Sequence, residues 1–336
     1  MTGFPLPPLD AVLAAATVVR LPLRTRFRGV TEREVVLLAG PERWSEFSPF
    51  LEYDDPLASR WLAAAIEYGW APSDALAAPV RDRIPVNAIL PAIPAEQVAE
   101  VLDRTPGVRT VKVKVAEPGQ SLTDDVARVA AARDWLGADG AIRIDANQGW
   151  TVDESVRVIE ALAEYGLEYV EQPVAAEDLG ALRARLAGTG VRLAADEALR
   201  LSPDPDAAAD GLAAIADVAI LKVQPLGGIT RASRLAERAG LPATVSSALE
   251  SSVGLAMGAH LAAALPNLPF ACGLGTGALL AEDVTDEPLL PDGDGTIAVR
   301  EVQPNPDRIQ TLSADRARHD WWRARIERCY AVLSAS

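Results

Sequence analysis

Short apolar segments typical of buried strands recur about every 26 residues between residues 84 and 273, with helical patterns between them. Eight strands are predicted, at residues 84–90, 110–115, 141–145, 167–171, 191–196, 218–222, 242–246 and 268–273. The segments are continuously apolar, as expected of strands that are covered on both faces. Eight βα units in series predict an α/β fold, a (β/α)8-type (TIM-like) parallel barrel.

The helices between the strands carry their own start and stop signals. Thr151 and Glu154 form a T-x-x-E capping box ahead of an apolar helical pattern, and Gly166 follows the end of that pattern. Ser121 precedes another helical pattern, and Gly240 ends a third. These signals support the alternation of strands and helices.

The chain has 336 residues, whereas a barrel of this kind needs roughly 250. Residues 17–23 and 34–39 predict a strand pair around a loop at 24–31, followed by a helix at 56–68, and a last helix is predicted at 315–333. We therefore expect three regions: an N-terminal α+β capping domain at 1–82, the barrel at 83–284, and a C-terminal segment at 285–336 that returns to the cap.

Charge and composition exclude several classes of protein. The net charge of −15 disfavours binding to nucleic acid, and two cysteines cannot build a disulfide framework. The longest uncharged apolar stretch, residues 253–265, is too short to span a membrane, and no secretory signal opens the chain. These features predict a cytoplasmic protein with no nucleic-acid, membrane or protein partner.

Lysine is rare in this sequence. The 32 basic residues include only three lysines, Lys112, Lys114 and Lys222, and the remainder are arginines. Arginine stays protonated in proteins, whereas a buried lysine can lose its proton and act as a base. The three lysines therefore mark positions where arginine would not serve.

Charged residues stand at the predicted carboxyl ends of five consecutive strands. In chain order they are Lys112 and Lys114, Asp145, Glu171, Asp196, and Lys222. Because function in a parallel barrel lies at the carboxyl ends of the strands, we expect these side chains to converge. Three converging carboxylates repel one another unless a cation lies among them, and their oxygens suit Mg²⁺.

The lysines are expected on the same rim as the carboxylates. Lys112 and Lys114 are two residues apart, so both side chains point inward and face Lys222 across the metal. This places a base on one side of a bound substrate and a cation on the other. The clustered positive charge is expected to lower the pKa of a lysine toward neutrality.

Five segments carry a family resemblance: VKVKV (111–115), RIDANQGW (143–150), EYVEQP (168–173), AADEAL (194–199) and ILKVQPLGG (220–228). With them the chain resembles the enolase superfamily, specifically its muconate-lactonising-type subgroup. Within that superfamily, the short N-terminal region, FRGVTEREV (27–35), RIDAN and SSALESSVGL (246–255) are similar to the o-succinylbenzoate synthase family.

The resemblance implies a Mg²⁺-dependent lyase of menaquinone biosynthesis that acts on a small carboxylate substrate. Asp145, Glu171 and Asp196 would bind the metal. Lys114 would remove the proton α to the carboxylate of 2-succinyl-6-hydroxy-2,4-cyclohexadiene-1-carboxylate and then help the hydroxyl leave from the same face as water. Lys222 would stabilise the enediolate together with Mg²⁺, and Lys112 would keep the site positive.

Candidates for substrate binding flank these residues. Asn147 and Arg143 lie near Asp145, although Arg143 also suits an ion pair inside the barrel. Ser246 and Ser247, with Glu250 and Ser251, precede a helix whose backbone N–H groups are suited to a second carboxylate, although ordinary helix capping explains them as well. Arg26 and Arg28 are expected in a loop that either covers the pocket or is solvated.

Three other functions remain open on the sequence. An N-acylamino acid racemase or dipeptide epimerase on the same scaffold would use Lys114 and Lys222 as two bases. A Schiff-base aldolase also uses a strand-six lysine but leaves the three carboxylates unexplained. A non-catalytic binding barrel does not explain the lysine and carboxylate set. Residues 273–278 fit G-x-G-x-x-A, but no βαβ unit follows them, which disfavours a nucleotide site.

Overall fold

The computed structural model describes residues 5–27 and 29–335. Its strands are β1 (Ala16–Phe27), β2 (Val30–Ala39), β3 (Trp44–Phe47), β4 (Arg83–Pro85), β5 (Ala88–Leu90), β6 (Thr110–Lys114), β7 (Ala141–Asp145), β8 (Leu167–Glu171), β9 (Leu193–Ala195), β10 (Val218–Leu221), β11 (Ala243–Val245) and β12 (Thr296–Ala298). Its helices are α1 (Leu9–Ala15), α2 (Asp55–Trp70), α3 (Val98–Leu102), α4 (Leu122–Leu136), α5 (Val152–Leu162), α6 (Leu179–Arg185), α7 (Glu197–Arg200), α8 (Pro205–Gly211), α9 (Ile229–Ala239), α10 (Ser252–Ala264), α11 (Pro306–Leu312) and α12 (Arg316–Ser334). In this described part of the chain, no helix combines the length and the apolar character needed to cross a membrane.

Seven parallel strands form the wall of the barrel, in the order β11-β10-β9-β8-β7-β6-β5. The segment at Cys272 and Gly273 completes the ring through parallel bridges to Val86 on one side and Ser246 on the other. The predicted α/β barrel is therefore confirmed. The capping boxes at Ser121 and Thr151 are formed as the sequence indicates.

Two predicted barrel strands differ from the observed ones. The segment 84–90 is interrupted: β4 pairs antiparallel with β12, and the barrel strand β5 begins only at Ala88. Pro85 has no N–H to donate to a ladder, which favours a break here. The segment 268–273 forms only the two isolated bridges, since Pro269 likewise lacks a donor.

The cap is built on an antiparallel sheet with the order β1-β2-β3. The strand pair is longer than predicted, because β1 continues to Phe27 and β2 starts at Val30, with Phe27 paired to Val30 across the turn. The loop expected at 24–31 is thus mostly strand. Arg28 lies outside the described residues.

Helix α12 returns from the barrel to the cap. Trp322 is fully buried, and its ring stands edge-on to Phe47 of β3 at a centroid distance of 5.7 Å. Arg318 and the Trp322 indole N–H both donate to Glu34 of β2. The cap therefore combines the N-terminal region with the C-terminal segment. Domain limits at 82/83 and 284/285 remain a prediction.

A buried carboxylate joins the cap to the barrel. Glu67 of α2 accepts hydrogen bonds from the backbone N–H groups of Ile229 (2.5 Å) and Thr230 (3.2 Å) at the start of α9. Burial raises the pKa of Glu67. The preceding residue, Gly228, has φ +116°, and a Cβ there would lie 2.2 Å from Glu67 Oε2. Only glycine allows this close approach.

We predict that Glu67→Ala lowers the free energy of unfolding by about 1–3 kcal/mol, because two N–H groups at the start of α9 lose their acceptor. Glu67→Gln keeps one acceptor oxygen and should lose less. Urea denaturation measures both variants, with Glu177→Ala, which removes an exposed carboxylate, as the control. Equal stability of Glu67→Ala and wild type would show that this contact does not hold the cap.

Candidate active site

The parallel register places the predicted site residues on one rim of the barrel. Lys114 pairs with Asp145 between β6 and β7, and Asp145 pairs with Glu171 between β7 and β8. Asp196 follows β9 directly, and Lys222 follows β10 directly. Five neighbouring strands thus bring the three carboxylates and the three lysines together, as the sequence predicts.

The three carboxylates are almost completely inaccessible to solvent, with relative exposures of 1% for Asp145 and 0% for Glu171 and Asp196. Burial, together with repulsion from Asp145 and Asp196, raises the pKa of Glu171 to about 7. Burial alone would also raise the pKa of the two aspartates. Instead, their pKa values lie well below the usual range, because Lys114 and Lys112 flank Asp145 and Arg200 and Lys222 flank Asp196.

Each carboxylate is paired with a lysine. Lys112 Nζ donates to both oxygens of Glu171, at 2.9 and 3.0 Å. Lys114 Nζ lies 2.5 Å from Asp145 Oδ2, and Lys222 Nζ lies 2.6 Å from Asp196 Oδ2. The positive charges of the lysines therefore compensate the buried negative charges.

Two neighbouring lysines differ in electrostatic environment. Burial, with a contribution from Lys112, lowers the pKa of Lys114 in spite of the nearby Asp145. Burial also acts to lower the pKa of Lys112, but Glu171 and Asp145 outweigh it and raise that pKa. From the sequence, clustered positive charge is expected to lower the pKa of a lysine. At Lys114, burial lowers the pKa more than the positive charge of Lys112 does. Of these two lysines, Lys114 is the one suited to be a base and Lys112 the one suited to be a permanent cation.

The donor set fits a hard divalent cation. Asp196 Oδ1 is buried and has no hydrogen-bond partner in the described part of the chain, so it offers a free oxygen. Among the described residues, however, no three acidic, histidine or cysteine side chains are already placed to hold a metal. Lysine ammonium groups already contact each of the three carboxylates. Binding of Mg²⁺ to Asp145, Glu171 and Asp196 would therefore require these contacts to be exchanged.

Two cavities meet at Lys114. The larger, of about 690 Å³, extends from Lys114 and Asn147 toward the turn between β1 and β2, where Arg26 and Phe27 line it. The smaller, of about 30 Å³, lies between the three lysines, with Ser246 and Ser247 in its wall. Lys114 thus stands between an outer cavity and a narrow inner recess.

The structure brings four of the five predicted substrate-binding residues to these cavities. Asn147 lies beside Lys114, and its Oδ1 accepts from Lys114 Nζ at 2.7 Å. Arg26 lines the outer cavity but belongs to β1 and not to a loop. Ser246 and Ser247 line the recess, where the Ser247 hydroxyl contacts the carbonyl of Gly273 and the hydroxyl of Thr276.

Arg143 lies elsewhere. Its side chain is fully buried in the barrel, and it bonds to Glu168 (2.6 Å), Asn87 (3.0 Å) and the carbonyl of Ala271 (2.6 Å). It contacts none of the three carboxylates of the rim. The expectation that Arg143 touches the substrate therefore finds no support in its contacts, which are those of an ion pair inside the barrel.

The start of α10 is not available for a substrate carboxylate, contrary to our expectation. Glu46 of β3 accepts from the N–H and the hydroxyl of Ser251, and Asp283 accepts from the N–H and the hydroxyl of Ser252. Glu250 accepts from Ala248 N. Buried carboxylates of the protein itself therefore occupy the N-terminus of this helix. Glu46 and Asp283 belong to segments that are distant in the sequence, so the sequence pattern does not predict these contacts.

Two residues missed by the sequence analysis border the site. Glu197 Oε1 accepts from Asn147 Nδ2 at 3.0 Å and from Arg200 at 2.7 Å. Arg200 also binds Asp196 (3.0 Å) and the hydroxyl of Tyr53 in the cap (2.9 Å). One sequence signal could have indicated them: Glu197, the second acidic residue of AADEAL, is followed three residues later by Arg200.

Both parts of the chain match known families. Residues 95–304 match the enolase C-terminal domain-like family, and residues 18–69 match the enolase N-terminal domain-like family. The chain is 49% identical over 330 residues to the o-succinylbenzoate synthase of Mycolicibacterium smegmatis, a match that covers 98% of this chain and 99% of that protein. The chain belongs to the o-succinylbenzoate synthase family of the enolase superfamily. The Mycobacterium tuberculosis member is 50% identical over 334 residues, 98% of each chain.

Solved structures share the fold of this family member. The muconate lactonizing enzyme from Pseudomonas putida matches with a TM-score of 0.72 at 20% identity, over 89% of this chain and 98% of that one. The N-succinyl Arg/Lys racemase from Bacillus cereus matches with a TM-score of 0.70 at 22% identity, over 89% and 97%. At this level of sequence identity, the similarity shows a shared fold and nothing about activity.

The buried Glu46 predicts a pH-dependent stability. Burial and the neighbouring Glu250 raise its pKa from the ordinary value of 4.5 to about 7. Between these two pH values the folded state keeps a proton that the unfolded state has lost, so the free energy of unfolding falls as pH rises through this window. We expect Glu46 to contribute roughly 3 kcal/mol to that fall.

Urea denaturation at a series of pH values from 4 to 8 tests this contribution. Glu46→Gln cannot titrate and should show a shallower fall than wild type, while Glu177→Gln should retain the wild-type profile. Identical profiles for wild type and Glu46→Gln would mean that Glu46 keeps an ordinary pKa in the folded protein.

Proposed function

We propose that this chain catalyses the Mg²⁺-dependent dehydration of 2-succinyl-6-hydroxy-2,4-cyclohexadiene-1-carboxylate to o-succinylbenzoate, a step of menaquinone biosynthesis. The observation that supports this most is that three buried carboxylates and the partly buried Lys114, whose pKa is lowered, lie on one barrel rim. Relatives that are about 50% identical to this chain over nearly its full length are named o-succinylbenzoate synthase. A cytoplasmic location belongs to the same proposal.

Lys114 acts as the base. In its neutral form it removes the proton from the carbon α to the ring carboxylate, and it becomes an ammonium. The same ammonium then gives this proton to the departing hydroxyl group, which leaves as water while the ring becomes aromatic. One lysine can serve both steps only if the proton and the hydroxyl lie on the same face of the ring, so the elimination is syn.

The cations around Lys114 favour this proton transfer. Lys112 lies within 3.4 Å of Asp145 and keeps a positive charge beside the reacting carboxylate. Lys222, at the carboxyl end of β10, stabilises the negative charge that develops on the substrate. Asp145, Glu171 and Asp196 would hold Mg²⁺, which when bound would stabilise that charge further.

The two cavities suit the two ends of the substrate. The ring carboxylate of the substrate binds in the recess between the lysines. The succinyl chain extends toward the outer cavity lined by Arg26. Arg26 would bind the terminal carboxylate there. Ser246, Ser247 and Asn147 complete the polar wall.

Arginine substitutions at the two lysines test the roles directly, because arginine keeps the charge but cannot give up a proton. Lys114→Arg should lower kcat by at least about 10²–10⁴-fold, the contribution typical of a general base. Lys222→Arg should retain more activity than Lys222→Ala. The ultraviolet change on conversion of the diene to the aromatic product, in buffer with Mg²⁺, measures the rates.

Glu177→Ala is the matched control and should leave the rate unchanged. Conversion of the diene by Lys114→Arg at the wild-type rate would contradict the role of Lys114. If wild type leaves the diene unchanged but racemises N-succinylamino acids or epimerises dipeptides, and each arginine variant abolishes this interconversion, the chain is a two-base racemase or epimerase.

A further inference from the structure

Asn147 holds Lys114 in a fixed direction. Its Oδ1 accepts from Lys114 Nζ, its Nδ2 donates to Glu197 Oε1, and its backbone N–H donates to Asp145 Oδ1 at 3.1 Å. As an ammonium, Lys114 only donates, and a carboxylate only accepts, so in this state the amide cannot turn over without losing both side-chain bonds. The orientation of the oxygen toward Lys114 is therefore imposed by Glu197.

The backbone at Asn147 contributes to this arrangement. Its φ of 45° is in the left-handed region, which asparagine tolerates better than most residues. Such a conformation is kept only where surrounding contacts determine it. The contacts to Asp145, Lys114 and Glu197 hold Asn147 in this conformation.

Glu197 is itself held in place. Its Oε1 takes both hydrogen bonds, from Asn147 and from Arg200, while its Oε2 is buried with no partner among the described residues. Arg200 has a side-chain exposure of only 3% and is anchored by Asp196 and by Tyr53 of the cap. The cap thus fixes Arg200, and Arg200 fixes Glu197.

We propose that Glu197 is a positioning residue for the base: through Asn147 it holds Lys114 toward the substrate. This inference rests on the proposed function. Lys114 Nζ has two hydrogen-bond acceptors, Asp145 and Asn147, and Asp145 is also a proposed metal ligand. If Asp145 holds Mg²⁺, Asn147 Oδ1 would be the acceptor that remains to orient Lys114.

The kinetic test compares Glu197→Ala, Glu197→Gln and the exposed control Glu177→Ala. Misplacement of a reacting group by about 1 Å can cost about 10²-fold in rate, so Glu197→Ala should lower kcat by up to about 100-fold with little change in KM. Glu197→Gln retains a carbonyl oxygen that accepts from both Asn147 and Arg200, and it should recover most of the loss. Glu177→Ala should match wild type.

A second measurement needs no substrate. The chain has only three lysines, so protein labelled with [ε-¹³C]lysine gives three lysine signals that single Lys→Arg variants assign. In Glu197→Ala, the signal of Lys114 should shift while that of Lys112, which is paired with Glu171, stays in place. Glu197→Gln should restore the wild-type position of the Lys114 signal.

The two measurements separate the outcomes. An unchanged kcat and an unmoved Lys114 signal in folded Glu197→Ala would overturn the positioning role, as would equal losses in the alanine and glutamine variants. If wild type fails to convert the diene, the proposed function fails. The shift of the Lys114 signal then still decides whether Glu197 positions this lysine.

Discussion

Mutual repulsion among three buried carboxylates is the constraint on which the site depends. Asp145, Glu171 and Asp196 stand on adjacent strand ends, where no solvent screens them. A buried carboxylate persists in its charged form only beside cations or hydrogen-bond donors. The three lysines and Arg200 provide that compensation in this structure, and the proposed Mg²⁺ would share it. The charge balance of the rim explains why cations lie at these positions.

The cap takes part in this electrostatic arrangement through buried polar contacts. Glu46 of β3 fills the start of α10, Glu67 of α2 fills the start of α9, and Tyr53 binds Arg200. Each contact joins a cap residue to a segment that borders the barrel rim. Because an unpaired buried polar group is costly, the cap and the barrel determine each other's position. Through Tyr53 and Arg200, a chain of hydrogen bonds runs from the cap to Glu197, Asn147 and Lys114.

The sequence predicts the barrel and the charged rim because both follow from one repeat. A strand about every 26 residues brings Asp145, Glu171, Asp196 and Lys222 into phase, and no knowledge of side-chain conformation is needed. Contacts that depend on conformation escape prediction. Arg143 points inward as Lys112 does but binds Glu168 deeper in the barrel, and Glu46 reaches a serine 205 residues away along the chain. The positive φ of Asn147 likewise has no signature in the spacing.

Isothermal titration of the chain with Mg²⁺ tests most directly the claim that the three carboxylates form one cation site. We predict binding of one ion per chain, and an affinity weakened by at least about 10–100-fold in Glu171→Gln, which keeps the size of the side chain and removes its charge. Glu177→Gln should bind as wild type does. Absence of Mg²⁺ binding by wild type, or an unchanged affinity in Glu171→Gln, would contradict the account.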